Sequence, residues 1–451
     1  MRRGHAARAA GKLLDVSRRT TRAPCQSFSR MTSQVAAFKA AHPSPTYNPS
    51  ATEAVFRCKS LGQLVFEAAL FKLCSYPAMV RLASSTLQAD VPLISPLARA
   101  LARQTVFKHF VSGESMRDCL SVSRRLFEQT RVTCILDHNV EEKETEDAWD
   151  LNLKNKLALF SDLEKENQQH CVKFVPLKCT ALLSPTLLEN MTRIMAGSDS
   201  SDVTAALSEN DKRLLETGYK RLEALCAAAQ KCGLAILLDA EQSFRQPAIE
   251  VIAQRLSAQF NQGGRILIYN TYQCYLKRTT SAIERDSKLA EERGYTFAVK
   301  LVRGAYMKTE RARALERGTP DPVHSKKADT DASYNGALTF LLQRVSLNKA
   351  AVLVATHSRQ SVDHCVEEMR ALAIAPSNKR IDFGSILGMS DNLSNALGLA
   401  GYNSNKLVSF GIFEDVVPWL CRRLDENNDL FGAMQGERHL LAKEIKRRIL
   451  G

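Results

Sequence analysis

The twelve cysteines of this 451-residue chain never stand as a C-x-x-C pair. A disulfide-stapled scaffold and a structural zinc site both draw on patterned, closely spaced cysteines, so neither is expected. The sequence therefore predicts a protein that works in a reducing compartment.

Two further signals are missing. No run approaches the ~20 apolar residues of a spanning helix, so the mature protein is expected to be soluble or peripherally attached to a membrane. No G-x-G-x-x-G follows any apolar run, so dinucleotide binding of the Rossmann kind has no support.

Acidic residues are scarce at the N-terminus, where Asp15 is the single acid among the first 30 residues. The same segment is rich in Arg and Ser, which is typical of a mitochondrial transit peptide. The alternative is a disordered basic tail or a nucleic-acid arm. Much of the net charge of +14 is concentrated here, and we predict no nucleic-acid partner for the rest of the chain.

Composition divides the chain into four parts. Residues 1–30 are predicted to be the transit peptide, and the Pro- and Ser-rich residues 31–54 a linker. Residues 55–129 are predicted to be a helical region, amphipathic from Leu61 to about Leu101 with a break before Pro77. Residues 130–451 are predicted to form the main domain.

Short apolar runs alternate with longer helical segments in the main domain. The runs are 132–138, 171–178, 234–241, 265–273, 297–306, 351–357, 381–389 and 406–413. Continuous apolar strands separated by helices indicate a parallel sheet buried on both faces. Eight of them predict a (β/α)8 barrel, with an open doubly wound sheet as the alternative.

Polar residues fall at the carboxyl ends of these runs, among them Asp137, His138, Lys178, Asp239, Glu241, Gln273, Arg303, Thr356 and His357. In barrels and open sheets alike this edge carries the functional site. The sequence therefore predicts a site that mixes cations and acids.

"WLCRRLDEN" follows the eighth run, on a helix predicted to begin near Glu414. Arg422, Arg423 and Glu426 can share one face of that helix, and two guanidinium groups there could hold a carboxylate. The alternative is an exposed helix with surface ion pairs.

The other candidate residues also allow more than one interpretation. Lys178 ends an apolar strand, so it needs an acid such as Asp239, an anionic ligand, or a role as a Schiff-base lysine. Asp239 either pairs with a cation or caps a helix. Tyr306 either covers a small ring or fills the core. His357 has no second His or Cys at ligand spacing, so no metal site is predicted.

At these residues the chain resembles the proline dehydrogenase family. The motifs that carry the resemblance are "TVFKHFVSGES", "LLDAEQS", "NTYQCYLK", "VKLVRGAYMKTERARA", "VATHS", "GSILGMSD", "AGYNSNK", "RRLDEN" and "GERHLLAKEIKRRIL". They run in order from about residue 105, and the last one with the Arg-rich N-terminus resembles the eukaryotic mitochondrial branch.

The resemblance implies a distorted (β/α)8 barrel that binds FAD at the carboxyl ends of its strands, with a final helix over the barrel mouth. It implies catalytic roles for Asp239, Lys178 and Tyr306. It implies a substrate pocket that also includes Ile386, Leu407, Arg422, Arg423 and Glu426. It implies that the flavin is lined by Gln273, Lys300, Val302, Gly304, Lys327, Thr356, His357 and Ser358.

The activity implied is oxidation of L-proline to Δ1-pyrroline-5-carboxylate, with electrons passed to ubiquinone. The location implied is the matrix side of the mitochondrial inner membrane, with peripheral membrane contact.

Leu407 departs from the family pattern. Proline-preferring members have a tyrosine four residues before the glycine matching Gly411, and hydroxyproline-preferring members have a serine. Leucine would leave a 4-hydroxyl group unpaired, so we predict proline over hydroxyproline. The alternatives are a hydroxyproline dehydrogenase, a catalytically impaired flavin-binding paralogue, and a lyase that uses Lys178.

Overall fold

The computed structural model describes residues 46–76, 79, 85, 99–138, 142–166, 170–197, 203–413, 416 and 428–451. Its centre is a closed barrel of eight parallel strands in chain order. The strands are β1 Thr133–His138, β2 Val172–Leu177, β3 Ala235–Leu238, β4 Ile268–Gln273, β5 Phe297–Val302, β6 Ala350–Ala355, β7 Ile381–Ile386 and β8 Ser404–Phe410.

The barrel closes where β8 pairs with β1, with Cys134 opposite Lys406. The eight predicted runs coincide with the eight strands, so the (β/α)8 prediction is confirmed and the open-sheet alternative is wrong.

The barrel interior is filled by alternate residues of the strands. Ile135, Phe174, Leu237, Tyr269 and Leu353 pack there and are almost fully buried. The intervening residues face outward against the helices. Each large apolar side chain buried on either face contributes roughly 1.5–3 kcal/mol, which explains why the strands are apolar without alternation.

Helices connect and surround the strands. They are α1 Thr52–Val55, α2 Leu61–Cys74, α3 Met116–Thr130, α4 Glu146–Glu166, α5 Pro185–Gly197, α6 Glu209–Lys231, α7 Gln246–Phe260, α8 Thr279–Arg293, α9 Met307–Arg317, α10 Lys327–Ser346, α11 Arg359–Ala371, α12 Asp391–Leu399 and α13 Asn428–Leu450. Residues Arg103–Phe107 form a π-helical turn before Lys108–Phe110, and Cys179–Ala181 and Thr204–Ala206 are 3₁₀ turns.

The N-terminal helical region begins where its sequence signals place it. Ser60 and Gln63 form a reciprocal capping box at the start of α2, and the helix ends before Pro77 as predicted. Leu64 and Phe71 of α2 pack in one cluster with Leu441 of α13. Within the described ranges, no helix has both the length and the apolar character needed to cross a bilayer.

The predicted linker 31–54 is described from residue 46 onward, and that part is packed. Tyr47 donates to Asp363 of α11 at 2.9 Å, and Thr52 of α1 is buried. Tyr47 also packs on Tyr402. The described part of the predicted linker is therefore in contact with the main domain, as a free linker would not be. The predicted transit peptide and the predicted helix from Glu414 that carries the arginine pair lie outside the described residues, apart from Val416.

Candidate active site

A cavity of about 250 Å³ opens at the carboxyl ends of the strands. The described residues predicted for the site line it, with the exception of Lys327: they are Lys178, Asp239, Gln273, Lys300, Val302, Gly304, Tyr306, Thr356, His357, Ser358, Ile386 and Leu407. Residues separated by more than two hundred positions in sequence therefore meet in one site.

Strand alternation points the charged residues into the cavity. Ile135, Leu237 and Ala298 belong to the barrel interior, and Asp137, Asp239 and Lys300 stand two residues beyond them. Because side chains two apart share a face, β1, β3 and β5 each present a charge beyond an apolar interior residue. The carboxyl end of the barrel is thus lined with ionisable groups.

Asp239 forms an ion pair with Lys300, whose Nζ lies 2.6 Å from Oδ1 of Asp239. Of the interpretations open for Lys178, an ion pair with Asp239 is therefore not the one that the structure shows. Asp239 is also too far from the start of α7 at Gln246 to cap that helix. The pair forms because the inward positions of β3 and β5 face each other across β4.

Lys178 lines the cavity and makes no ion pair with any carboxylate in the described ranges. It sits between β2 and the 3₁₀ turn Cys179–Ala181, with extended backbone. A partly buried ammonium group without an acid favours an anion from outside the protein. Among the residues that the structure describes, Lys178 is therefore the best candidate for binding a carboxylate.

Several residues that line the cavity were not assigned a role from the sequence, among them Asp137, Asn152 and Lys156. Burial raises the pKa of Asp137, although Lys156, Lys178 and Lys300 oppose that rise, and burial lowers the pKa of Lys156. Asp137 had a usable signal, since it ends the first apolar run. Lys156 lies within α4, where nothing in the sequence distinguishes it from a surface lysine.

Arg303 orders the turn that follows β6. Its guanidinium donates to Asp331 at 2.7 Å, to Oγ1 of Thr356 at 2.9 Å and to Oγ of Ser361 at 3.0 Å. Oγ1 of Thr356 in turn accepts from the backbone N–H of Ser358 at 3.0 Å. Thr356 and Ser358 are thus held at the cavity edge by a cation that lies in the wall.

His357 completes that turn as a neutral ring. Burial lowers its pKa to about 3, with Lys406 and Arg303 adding to the effect. Its Nδ1 lies 3.2 Å from Oγ of Ser390. A neutral imidazole can offer one donor and one acceptor, so it suits hydrogen bonding to a polar ring system.

Gly304 allows the chain to pass close to a buried ring. Its φ is +137°, and a Cβ at this position would overlap the ring of Tyr275. The backbone N–H of Ala305 then reaches Oε1 of Gln273 at 3.4 Å, while Nε2 of Gln273 donates to the carbonyl of Glu241 at 2.8 Å. The glycine thereby sets where Tyr306 enters the cavity.

Lys327 and the arginine pair stand apart from these residues. Lys327 begins α10 and forms an ion pair with Asp331 at 2.6 Å, and its side chain is 63% exposed. The structure does not place it in the cavity wall. Arg422, Arg423 and Glu426 lie outside the described residues.

Comparison with known proteins identifies the family. The family model described as "Proline dehydrogenase" matches residues 120–435, which is more than half of the chain. The chain belongs to the proline dehydrogenase family. It is therefore an oxidoreductase.

The chain is similar to relatives that are named for two different substrates. The chain is 31% identical to hydroxyproline dehydrogenase of Bos taurus over 88% of its own length and 92% of the relative's. It is 38% identical to mitochondrial proline dehydrogenase 1 of Homo sapiens over 54% of its own length and 40% of the relative's.

A solved structure of proline utilization A from Bdellovibrio bacteriovorus, inactivated by N-propargylglycine, shows the same fold. It superposes with a TM-score of 0.67 at 19% sequence identity. The match covers 91% of this chain but 42% of that longer chain, so it concerns less than half of proline utilization A.

The cavity of this family member has the chemistry to hold a flavin. The buried hydroxyl groups of Thr271 and Ser385 line it, and neither has a hydrogen-bond partner within the described part of the chain. Apolar walls are supplied by Val302, Ile386 and Leu407. A mostly apolar cleft with a few unpaired polar atoms is what a flat heteroaromatic cofactor requires.

Proposed function

We propose that the protein is an FAD-dependent dehydrogenase that oxidises L-proline to Δ1-pyrroline-5-carboxylate and passes the electrons to ubiquinone. The observation that carries the proposal is Lys178, a cavity cation without a described acid partner, beside the ion pair of Asp239 and Lys300. This arrangement leaves one positive charge for a substrate carboxylate.

Charge balance supports an anionic or zwitterionic substrate. The ammonium groups of Lys156, Lys178 and Lys300 face the carboxyl groups of Asp137 and Asp239 around one cavity. Fixed charges in a partly dry site act more strongly than in water. Arg422 and Arg423, with Glu426 ordering their helix, are proposed to complete the carboxylate grip.

The substrate ring is proposed to lie between Tyr306 and the aliphatic wall of Ile386. Tyr306 lines the cavity from the residue before α9 and Ile386 from the end of β7, and Leu407 lies next to Ile386 in the register of β7 and β8. Packing on two sides would orient the ring carbon next to nitrogen, which is the share of catalysis that the protein contributes.

The flavin is proposed to bind against Gln273, Lys300, Val302, Gly304, Thr356, His357 and Ser358, with Lys327 at its outer end. Bound FAD would supply the hydride-accepting chemistry that no side chain offers. Lys300 is held by Asp239, so its ammonium group keeps a defined position toward the cofactor. The neutral ring of His357 adds a hydrogen-bonding group without adding charge.

Hydroxyproline is the second candidate substrate, and the full-length similarity to hydroxyproline dehydrogenases favours it. Leu407 opposes it, because its side chain packs among apolar residues of the barrel interior and offers no hydroxyl group. We therefore propose proline as the preferred substrate.

One anaerobic titration tests both proposals. The purified protein should be yellow with a flavin spectrum, and proline should bleach it at lower concentration than 4-hydroxyproline. Bleaching by hydroxyproline alone would reverse the substrate assignment. A flavin that neither compound reduces would identify an impaired paralogue. A folded protein that cannot take up FAD would refute the proposal, and borohydride trapping on Lys178 would then indicate a lyase.

The location is proposed to be the matrix side of the mitochondrial inner membrane, with residues 1–30 as the transit peptide. Relatives named mitochondrial support the organelle. Exposed apolar side chains on α2, namely Leu61, Val65, Phe66 and Leu73, support a peripheral contact. Co-sedimentation with anionic vesicles tests it, and Val65→Glu with Phe66→Glu should abolish binding without changing the flavin spectrum.

A further inference from the structure

A buried group of charges lies outside the barrel wall, behind the cavity. We call it the turn clamp, and it consists of Lys59, Glu67, Asp391, Lys406 and Glu437. It surrounds the turn of residues 387–390 that joins β7 to α12. The clamp is separate from the candidate active site, since none of its residues lines the cavity.

Lys406 is the centre of the turn clamp. It alternates on β8 with Leu407, so its side chain points away from the cavity, and only 1% of that side chain is exposed. Its Nζ forms an ion pair with Oδ1 of Asp391 at 2.7 Å. It also donates to the carbonyls of Met389 and of Ile386, the latter at 3.4 Å. One ammonium group thus binds the turn at Met389 and the residues that flank it, Ile386 and Asp391.

The backbone of the turn is unusual and needs such support. Gly388 has φ +75°, and a Cβ there would lie 2.6 Å from the carbonyl oxygen of His109. Ser390 also has a positive φ of 53°, although it is not a glycine. A serine in the left-handed region persists where surrounding contacts impose it.

Glu437 of α13 holds the same turn from the other side. Its carboxylate accepts the backbone N–H groups of Ser390 and Asp391 at 2.7 Å each, and that of Asn392 at 3.2 Å. These are N–H groups at the start of α12 that have no partner within the helix, and the helix dipole favours an anion there.

Lys59 ties the N-terminal region into the clamp. Its Nζ lies 2.7 Å from Oδ2 of Asp391 and 2.5 Å from Oε2 of Glu67. Burial alone would raise the pKa of Asp391, but the ammonium groups of Lys406 and Lys59 outweigh it and keep that pKa below its usual value. Removing either lysine would therefore leave a buried carboxylate with too little positive charge.

The clamped turn reaches the cavity at two places. Ile386, at its start, lines the cavity. Ser390, at its end, places its Oγ 3.2 Å from Nδ1 of His357, which lines the cavity from β6. A displacement of the turn would therefore move a wall that faces the substrate ring and a residue that faces the flavin.

We propose that Lys406 is a positioning residue of this enzyme: through Asp391 and the carbonyls of the turn, it fixes Ile386 and His357 in the cavity wall. Glu437 makes the same turn sensitive to the seating of α13, which begins two residues after Glu426. The proposal rests on the proposed function only for the identity of the ligands, since the contacts of the turn exist without them.

The test compares Lys406→Met with a matched control, Lys173→Met. Lys173 also pairs with a buried acid, Asp382, at 2.6 Å, but at the opposite end of the barrel. Both variants should lose thermal stability. Lys406→Met alone should shift the flavin absorption spectrum, weaken FAD binding about tenfold and raise KM for proline more than it lowers kcat. Lys406→Arg should restore much of each loss.

Hydrogen exchange separates this inference from the proposed function. Peptides covering residues 387–399, which do not include Asp382, should exchange faster in Lys406→Met than in the parent protein, and should be unchanged in Lys173→Met. This readout needs neither FAD nor turnover, so it stands even if the protein binds no flavin. Unchanged exchange, or equal effects of both variants on the flavin, would show that Lys406 has no positioning role. If Lys406→Met does not fold, Asp391→Asn and Glu437→Gln take its place under the same criteria.

Discussion

The two ends of the barrel both carry charged side chains, but they pair them differently. At the amino end, Lys173 binds Asp382 at 2.6 Å, Asp382 accepts from Asn405 at 3.0 Å, and Asn405 accepts from Thr133 at 2.6 Å. At the carboxyl end, Lys178 has no described acid partner, and the hydroxyls of Thr271 and Ser385 have no described partner.

This difference separates a structural end from a functional end. A buried polar group that lacks a partner destabilises the fold, so such groups persist where a ligand satisfies them. The presence of lysines and aspartates alone would not have distinguished the two ends. Their pairing does.

The largest effect is expected from adding one methyl group at the carboxyl end. Gly304→Ala should cost about 3 kcal/mol or more of unfolding free energy and most of the bound FAD, because its Cβ overlaps Tyr275. Gly233→Ala is the control at the amino end: its φ is +67°, yet its Cβ meets nothing within 4 Å, so it should cost about 1 kcal/mol and keep the flavin. Denaturant unfolding and flavin absorbance measure both; equal losses would contradict the prediction.

Acid should destabilise the folded protein through His357, at the carboxyl end of the barrel. Burial lowers the pKa of His357 from 6.5 to about 3, so the unfolded chain takes up a proton that the folded protein refuses. The contribution of His357 to the free energy of unfolding is at its maximum above pH 6.5 and falls as pH drops toward 3. The loss should be about 2–3 kcal/mol between pH 7 and 4.5. His357→Gln should flatten the pH dependence of denaturant unfolding, and an unchanged slope would refute the assignment.

Removing one lysine from each end sharpens the contrast. Lys178→Ala should raise KM for proline about 10- to 100-fold, because a charge-assisted hydrogen bond is worth about 1.5–3 kcal/mol, while the melting temperature stays nearly constant. Lys173→Ala should lower the melting temperature, because it leaves Asp382 unpaired, and should leave KM unchanged. Steady-state kinetics and thermal melts of both variants decide it. A KM effect from Lys173→Ala would erase the distinction.

The smallest effect is expected at the apolar wall of the site. Leu407→Ser should improve oxidation of 4-hydroxyproline relative to proline by about fivefold, since a new hydroxyl can pair with the substrate's, worth about 1 kcal/mol net. Leu407→Met, which keeps the wall apolar, is the control and should leave the preference unchanged. The ratio of kcat/KM for the two substrates is the measurement, and no change with serine would place the ring elsewhere.

Much of the site followed from strand positions. Lys178, Asp239, Gln273 and Thr356 stand at or just beyond strand ends, and parallel strands bring those ends to one edge whatever lies between them. Lys156 could not be found this way, because it reaches the cavity from α4. Its role depends on how that helix packs against β1.

The sequence also did not determine which lysine and which carboxylate form an ion pair. Lys178 and Lys300 are both strand-end lysines, and the spacing along the chain does not tell which one meets Asp239. Lys406 is harder still: it stands next to Leu407 in a strand and resembles any outward lysine, until α2, α12 and α13 close over it.

The sequence by itself determined the barrel and the strand edge at which the candidate site lies, because eight apolar runs with polar ends admit few arrangements. The family followed from the resemblance of ordered motifs such as "LLDAEQS" and "RRLDEN". Tertiary structure alone decided which charges are paired. Pairing depends on distances between strands and helices far apart in the chain: Lys173 forms an ion pair with Asp382, whereas Lys178 has no acid partner among the residues that the structure describes.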